Sequence, residues 1–222
     1  FYLKNIFFQS MPISISICGY ALAAAIIFTY VGQSGEYAVA GYGVGTRIEQ
    51  VVLLPILGIN TAIISIISQN FGARNFDRIK ETYFTAIKYA FIIMITSAIV
   101  VFILAGIITS IFSSDPEVIE YGKRYLKISA FVLPAYPVFF LSNGFFMALK
   151  KSENAMISNF FRNVLNPIVV FYIAKYISAS FDTFFWIWVG INWFFSISYF
   201  LIVIYYFKTR LGKSSAIVQP SP

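Results

Sequence analysis

The sequence predicts an all-α polytopic membrane protein with six transmembrane helices joined by short turns. Two observations carry that prediction. Of 222 residues, 59% are hydrophobic and only 11% charged, and mean hydropathy is +0.79. A soluble domain carries about a quarter charged residues, so this chain lacks the polar surface to hold a water-soluble domain in solution. Disorder is excluded for the same reason, since it needs low hydrophobicity and high charge. The second observation is that the apolar residues gather in stretches near or above the roughly 20 that a helix needs to cross a bilayer. Within them, runs such as Ile99–Leu104 do not alternate with polar residues, as the strands of a membrane β-barrel do.

The stretches fall at about 7–31, 39–71, 83–112, 125–149, 154–176 and 183–207. The first contains no charge, the second holds Arg47 and Glu49, and Arg162 interrupts the fifth. The connections, 32–38, 72–82, 113–124, 150–153 and 177–182, are short, and short connections make antiparallel neighbours. In the third, Ser114-Asp115-Pro116-Glu117 reads as a capped helix start ahead of the fourth span. Residues 1–210 thus form one transmembrane unit, and the Ser/Pro-containing tail 211–222 is expected to be disordered. Phe1 opens the chain without an initiator Met, so the chain reads as a piece of a longer or processed protein.

Sixteen Lys and Arg against nine acids give a net charge of +7. The basic residues sit mostly at the ends of apolar runs, which points to topology and not to nucleic acid. One side collects Lys4, Arg74, Arg78, Lys80, Lys88, Lys150, Lys151, Lys208, Arg210 and Lys213. The other holds Lys123, Arg124, Lys127 and Lys175 among five acids. The positive-inside rule then places both ends in the cytoplasm, in a multi-pass protein of the cell (plasma) membrane. There is one cysteine, Cys18, and no histidine. This leaves no internal disulfide, no His-based triad and no common metal set, so an enzyme is not expected.

Few polar residues remain at membrane depth, and they are the site candidates: Arg47, Glu49, Gln50 and Thr61 in the second span, Asn143 in the fourth, and Asn159, Arg162, Asn163 and Asn166 in the fifth. Arg47, Gln50, Leu54, Gly58, Thr61, Ser65 and Ser68 recur at helical spacing as one small or polar stripe, either a packing face or a cavity wall. Ionisable residues inside a membrane cost about 2.5–3.5 kcal/mol each on insertion scales and normally face a bundle interior or a water-filled cavity. At 1.5 Å per residue, Glu49 lies about 15 Å from one end of its helix and Arg162 about 13 Å from the opposite end of its own. Similar depths predict that the two pair. Pro55 is expected to bend the second span, and Pro134 and Pro137 the fourth. The first part of the aromatic cluster from Phe184 to Phe195 fits an interfacial belt better than a drug-stacking site.

Several motifs resemble the multidrug and toxic compound extrusion (MATE) family: Pro12, Val39-Ala-Gly-Tyr-Gly-Val-Gly-Thr-Arg-Ile-Glu49, Pro55, Gly58, Gln69-Asn-Phe-Gly-Ala-Arg74, and Gly144-Phe-Phe-Met-Ala-Leu-Lys-Lys-Ser152. The likeness extends to about Arg210. It implies a twelve-helix antiporter of two six-helix lobes, exporting small organic, often cationic or xenobiotic compounds in exchange for Na⁺ or H⁺ and using no other cofactor. This chain resembles the C-terminal lobe alone, so its expected partners are the lipid bilayer and either a missing N-terminal lobe or a second copy, with no nucleic acid. Some branches use a Glu and an Asp for cation binding where this chain has apolar or aromatic residues, near Gly19–Tyr20 and at Tyr136. No coupling residue is therefore carried over. The alternatives are a lipid or lipid-linked oligosaccharide flippase of related architecture, or a half-size transporter acting as a homodimer.

Overall fold

The computed structural model of the chain describes residues 19–211. The stretch 7–18, with Pro12 and Cys18, and the expected tail from residue 212 onward lie outside the described residues. Helix α1 runs Gly19–Gly32. The chain then turns at Gly35, whose φ of 102° lies in the region that only glycine enters at no steric cost. Helix α2 (Glu36–Gly72) and helix α3 (Phe76–Phe112) have 37 residues each, or about 55 Å at 1.5 Å per residue. That exceeds a hydrocarbon core of roughly 30 Å, so both project past the apolar layer or tilt within it. Helix α3 starts seven residues before its apolar run. Asn75 accepts a hydrogen bond from the Arg78 amide at 3.2 Å, and Arg78 pairs with Glu81 at 2.7 Å. Residues 76–82, part of a connection by hydropathy, are therefore the first two turns of a helix.

Helix α4 (Pro116–Ser129) begins where the sequence signals a start. The Asp115 carboxylate accepts from the Glu117 amide at 2.9 Å, and Pro116 takes the first position, where a missing N–H costs nothing. The helix runs on past Tyr125. A single 3-10 turn, Leu133–Ala135, and helix α5 (Tyr136–Ala148) follow, and the axis bends by 40° at the break. Pro134 and Pro137 lie at that break and cannot donate to the helical ladder. The fourth apolar stretch is thus a bent pair and not one rod.

Helix α6 (Ser152–Phe160) passes through a wide π turn, Phe161–Leu165, into helix α7 (Asn166–Tyr176). Pro167 removes the N–H that would bond the Asn163 carbonyl, and the wide turn relieves the clash of its ring with that carbonyl. Helix α8 (Phe181–Tyr206) starts under Ser180, which accepts from the Thr183 amide at 3.4 Å, and ends in a second π turn, Phe207–Leu211. Arg74, Lys150 and Ser178 each have φ between 50° and 58°, the left-handed conformation in which helices commonly stop. Helices α2, α3 and α8 are each long and apolar enough to cross a membrane, and the bent pair α4–α5 reaches the same length and hydropathy only when taken together.

The turns α1–α2, α3–α4 and α7–α8 share one end of the bundle, here the first end. The turns α2–α3 and α5–α6 share the second. Helices α2 and α4 cross with their backbones almost touching: a Cβ on Gly41 would sit 2.7 Å from the Gly122 nitrogen, and one on Gly45 would sit 2.3 Å from the Tyr125 ring. Gly43 has open space around it. Two of the three alternate glycines therefore serve close helix packing. The buried apolar side chains form two clusters, one around Tyr42, Ile56, Leu133 and Phe184 toward the first end, and one around Ile67, Tyr83, Phe145 and Val203 toward the second.

Candidate functional site

A cavity of about 250 Å³ opens inside the bundle, and every helix except α3 and α7 contributes to its wall. Helix α2 presents Thr46, Glu49, Gln50 and Leu53, which share one face at helical spacing. Arg47 lies about 200° around the helix from Glu49; it is exposed and takes no part in the cavity. Thr61 is likewise exposed, with its hydroxyl bonded back to the Leu57 carbonyl at 3.0 Å. The small or polar stripe expected on α2 therefore does not line the cavity as a unit. Gln50 does, together with its neighbours Thr46 and Glu49.

Glu49 is the cavity's carboxylate, and two tyrosines hold it. The Tyr125 hydroxyl donates to one of its oxygens and the Tyr136 hydroxyl to the other. These donors come from either side of the α4–α5 break, so the bend aims two phenols at one acid. The Tyr125 ring is packed in a Tyr42–Tyr125–Phe185 group whose ring centroids lie 4.8–5.4 Å apart.

Arg162 enters from the π turn. Its guanidinium carbon lies 4.1 Å from the Phe139 ring centroid, 4.8 Å from Tyr136 and 5.3 Å from Phe140. Such stacking compensates a desolvated guanidinium by up to about 2 kcal/mol. The direct Glu49–Arg162 ion pair expected from depth is not formed. Among the described residues the ion pairs are Arg78–Glu81, Lys123–Glu120 and Arg124–Asp182. Tyr136 stands between the two charges instead, with its hydroxyl on Glu49 and its ring under Arg162. Depth arithmetic brought both residues to one level but carried no information about the side chain inserted between them.

The amides divide. Asn159 and Asn163 line the cavity beside Arg162. Asn143 lies behind them, buried, donating to Asn159 at 3.4 Å and accepting from the Tyr199 hydroxyl at 3.2 Å. Asn166 is fully buried away from the cavity, and neither atom of its amide finds a partner within the chain. In the aromatic cluster of α8, Phe185 and Trp188 face the cavity, while Trp193 donates to the Phe131 carbonyl at 2.8 Å beside the α4–α5 break. Within the first part of that cluster Phe185 and Trp188 thus belong to the interior and not to an interfacial belt, while Trp186 is exposed. Among the described residues no group of His, Cys, Asp and Glu is arranged to hold a metal ion.

The fold is a bundle of apolar helices around a polar, aromatic-walled cavity. The MatE family model matches residues 12–173, and the chain belongs to the MatE family. An FAD transporter of Shewanella oneidensis is 29% identical over 107 residues, covering 48% of this chain and 24% of that protein. The probable multidrug resistance protein YpnP of Bacillus subtilis is 26% identical over 164 residues, 74% of this chain and 34% of the relative. The chain spans about a third or less of the length of these relatives. A MOP superfamily transporter from Pyrococcus furiosus superposes with a TM-score of 0.83 at 23% identity, over 96% of this chain and 47% of that one. An inward-facing multidrug resistance MATE family transporter superposes with a TM-score of 0.86 at 21% identity, over 98% and 50%. These structures share the fold.

Proposed function

We propose that this chain is the C-terminal six-helix lobe of a secondary antiporter that exports small organic compounds in exchange for Na⁺ or H⁺, and that the cavity around Glu49 and Arg162 is its share of the substrate path. The carrying observation is an acid and an arginine facing a cavity inside an apolar bundle, where ionisable residues mark a solvated path more often than a lipid contact. Its volume, about 250 Å³, falls short of the roughly 300–1,000 Å³ of a complete ligand site, as one wall of a two-walled site should. A chain that covers about half of each superposed transporter fits the same reading. The opposite wall comes from a preceding lobe or from a second copy.

The charge distribution supports a plasma-membrane protein whose second end, with Arg74, Arg78, Lys150 and Lys151, faces the cytoplasm. Relatives named for multidrug resistance and for FAD transport support an organic solute. A coupling ion moves the inward–outward equilibrium only by binding one state better than the other, and within this chain Glu49 is the carboxylate placed to feel it. The test is efflux of an organic dye from vesicles containing the full-length protein. The proposal expects accumulation that collapses when the sodium or proton gradient is dissipated; export that continues undiminished without either gradient would refute antiport.

A further inference from the structure

Resting on that reading, we infer that the cavity selects substrates carrying an oxyanion, a carboxylate or phosphate, beside an aromatic ring, and that Arg162 is the residue that binds the anion. This departs from the cationic compounds implied by the resemblance, and it comes from how the two cavity charges are held.

The negative charge is already engaged. Each oxygen of Glu49 accepts a phenolic hydroxyl, one from Tyr125 and one from Tyr136. A cationic substrate reaching Glu49 has to displace a donor fixed by helix packing, and the Tyr125 ring is itself wedged against Gly45 with no space for a Cβ. The positive charge is presented. No carboxylate of the described residues pairs with Arg162, and the remaining residues of the chain contain no Asp or Glu. The rings of Tyr136, Phe139 and Phe140 lie 4.1–5.3 Å from the guanidinium carbon, and none of them is a hydrogen-bond acceptor for its N–H edge comparable to a carboxylate. Its five N–H donors lie in the plane, in the fork that matches a carboxylate or phosphate.

The surroundings extend the fit. Asn159 and Asn163 line the cavity beside Arg162 and supply amide donors. Tyr20, Tyr42, Phe185 and Trp188 offer ring faces for the aromatic body of a substrate. The arrangement therefore places an anion clamp between amides, with an aromatic slot next to it. The acid, held by two phenols, faces the same space but forms no direct ion pair with the guanidinium.

The test is a matched pair of ligands that differ by the anion alone. Riboflavin and flavin mononucleotide share a ring system, and only the second carries a phosphate; tetraphenylphosphonium serves as the aromatic cation. Affinities are measured on the full-length protein in lipid nanodiscs at neutral pH. Flavin mononucleotide should bind at least about tenfold tighter than riboflavin, the ratio expected for one charge-assisted bidentate contact. Arg162→Gln should abolish that preference while leaving riboflavin affinity within about twofold, and Arg162→Lys should keep part of it because the charge stays but the fork is lost. Tetraphenylphosphonium should not weaken in Arg162→Gln. Should that variant fail to fold, Arg162→Lys decides alone, with a preference reduced but not lost.

Equal binding of the two flavins by the native protein would overturn the inference. So would a phosphate preference that survives Arg162→Gln, which is also the result if a carboxylate from another part of the protein occupies the guanidinium. Because this is a binding measurement without a gradient, it separates from the antiport test. Efflux that continues undiminished without either gradient, with the flavin preference intact, refutes antiport and keeps the anion site; gradient-dependent efflux without the flavin preference does the reverse.

Discussion

Tyr136 and Tyr83 are both buried tyrosines whose hydroxyls reach another helix, yet they sit in opposite kinds of environment. Tyr83 lies toward the second end of the bundle, shares a 2.8 Å hydrogen bond with Ser142, and packs its ring 5.2 Å from Phe145 and 5.7 Å from Phe207. Its neighbours fill the space around it. Tyr136 sits at the start of α5, with its hydroxyl on Glu49 and its ring under Arg162, facing a cavity. What separates them is the regularity of the helices. Toward the second end, α2, α3 and α5 run as continuous α-helix, and Phe207 at the end of α8 packs its ring against Tyr83. At the cavity, α4–α5 bends by 40° and α6–α7 takes a wide turn, so their side chains splay. Proline at the breaks opens the space, and the charged side chains occupy its wall.

Substitutions that treat the two regions alike should therefore have unlike effects. The largest is expected at Glu49. Glu49→Ala leaves two buried phenols without an acceptor and removes the cavity's acid. Gradient-driven efflux should fall by about tenfold or more, equivalent to ~1.4 kcal/mol, and an efflux rate within twofold of the native protein would break the distinction. At the α2–α4 crossing, Gly41→Ala drives a methyl into backbone atoms of α4 and should cost about 1–3 kcal/mol, as overpacking does. Gly43→Ala, in open space, should be neutral or stabilise by up to about 1 kcal/mol through helix propensity. Thermal unfolding in detergent compares the two directly.

Smaller effects sharpen the contrast between the tyrosines. Tyr83→Phe removes one buried hydrogen bond and should cost about 1 kcal/mol of stability while leaving efflux within about twofold. Tyr136→Phe should instead alter substrate affinity, since its hydroxyl holds Glu49 in place while its ring remains under Arg162. Reversed outcomes, with Tyr83 controlling transport and Tyr136 controlling only melting temperature, would show that the packed end is the functional one. The smallest effect is expected from Arg47→Gln. Arg47 is exposed and outside the cavity, so efflux and stability should both stay within measurement error, about ±0.5 kcal/mol.

The membrane class was legible because charge was scarce, and a helix start at Asp115-Pro116 because its chemistry is local. Glu49, Arg162, Asn159 and Asn163 stood out because polar groups at depth have few places to go, and the structure places all four around one cavity. Arg47 drew equal attention from sequence, but two residues along a helix is more than half a turn, and a side chain on the far face is separated from the cavity. The tyrosines were not legible as site residues. In a membrane helix a tyrosine ring passes for a wall, and the partner that gives its hydroxyl a role lies 76 or 87 residues away. The π turn carried one local signal, the missing amide of Pro167, which frees a carbonyl one turn earlier. The unpaired amide of buried Asn166 has no explanation in this chain.

The central claim is that the space around Glu49 and Arg162 is a solvated substrate path and the region around Tyr83 is not. Cysteine accessibility tests it most directly. In the full-length protein with Cys18→Ser and every cysteine outside this chain likewise replaced, Thr46→Cys places a thiol on the cavity wall and Ser142→Cys places one in the packed region. A membrane-impermeant thiol reagent, applied to vesicles of either orientation, should label Thr46→Cys, and a transported compound should slow that labelling several-fold. Ser142→Cys should stay unlabelled until the protein is denatured. Equal labelling at both positions, or labelling of Thr46→Cys that no transported compound slows, would contradict the account.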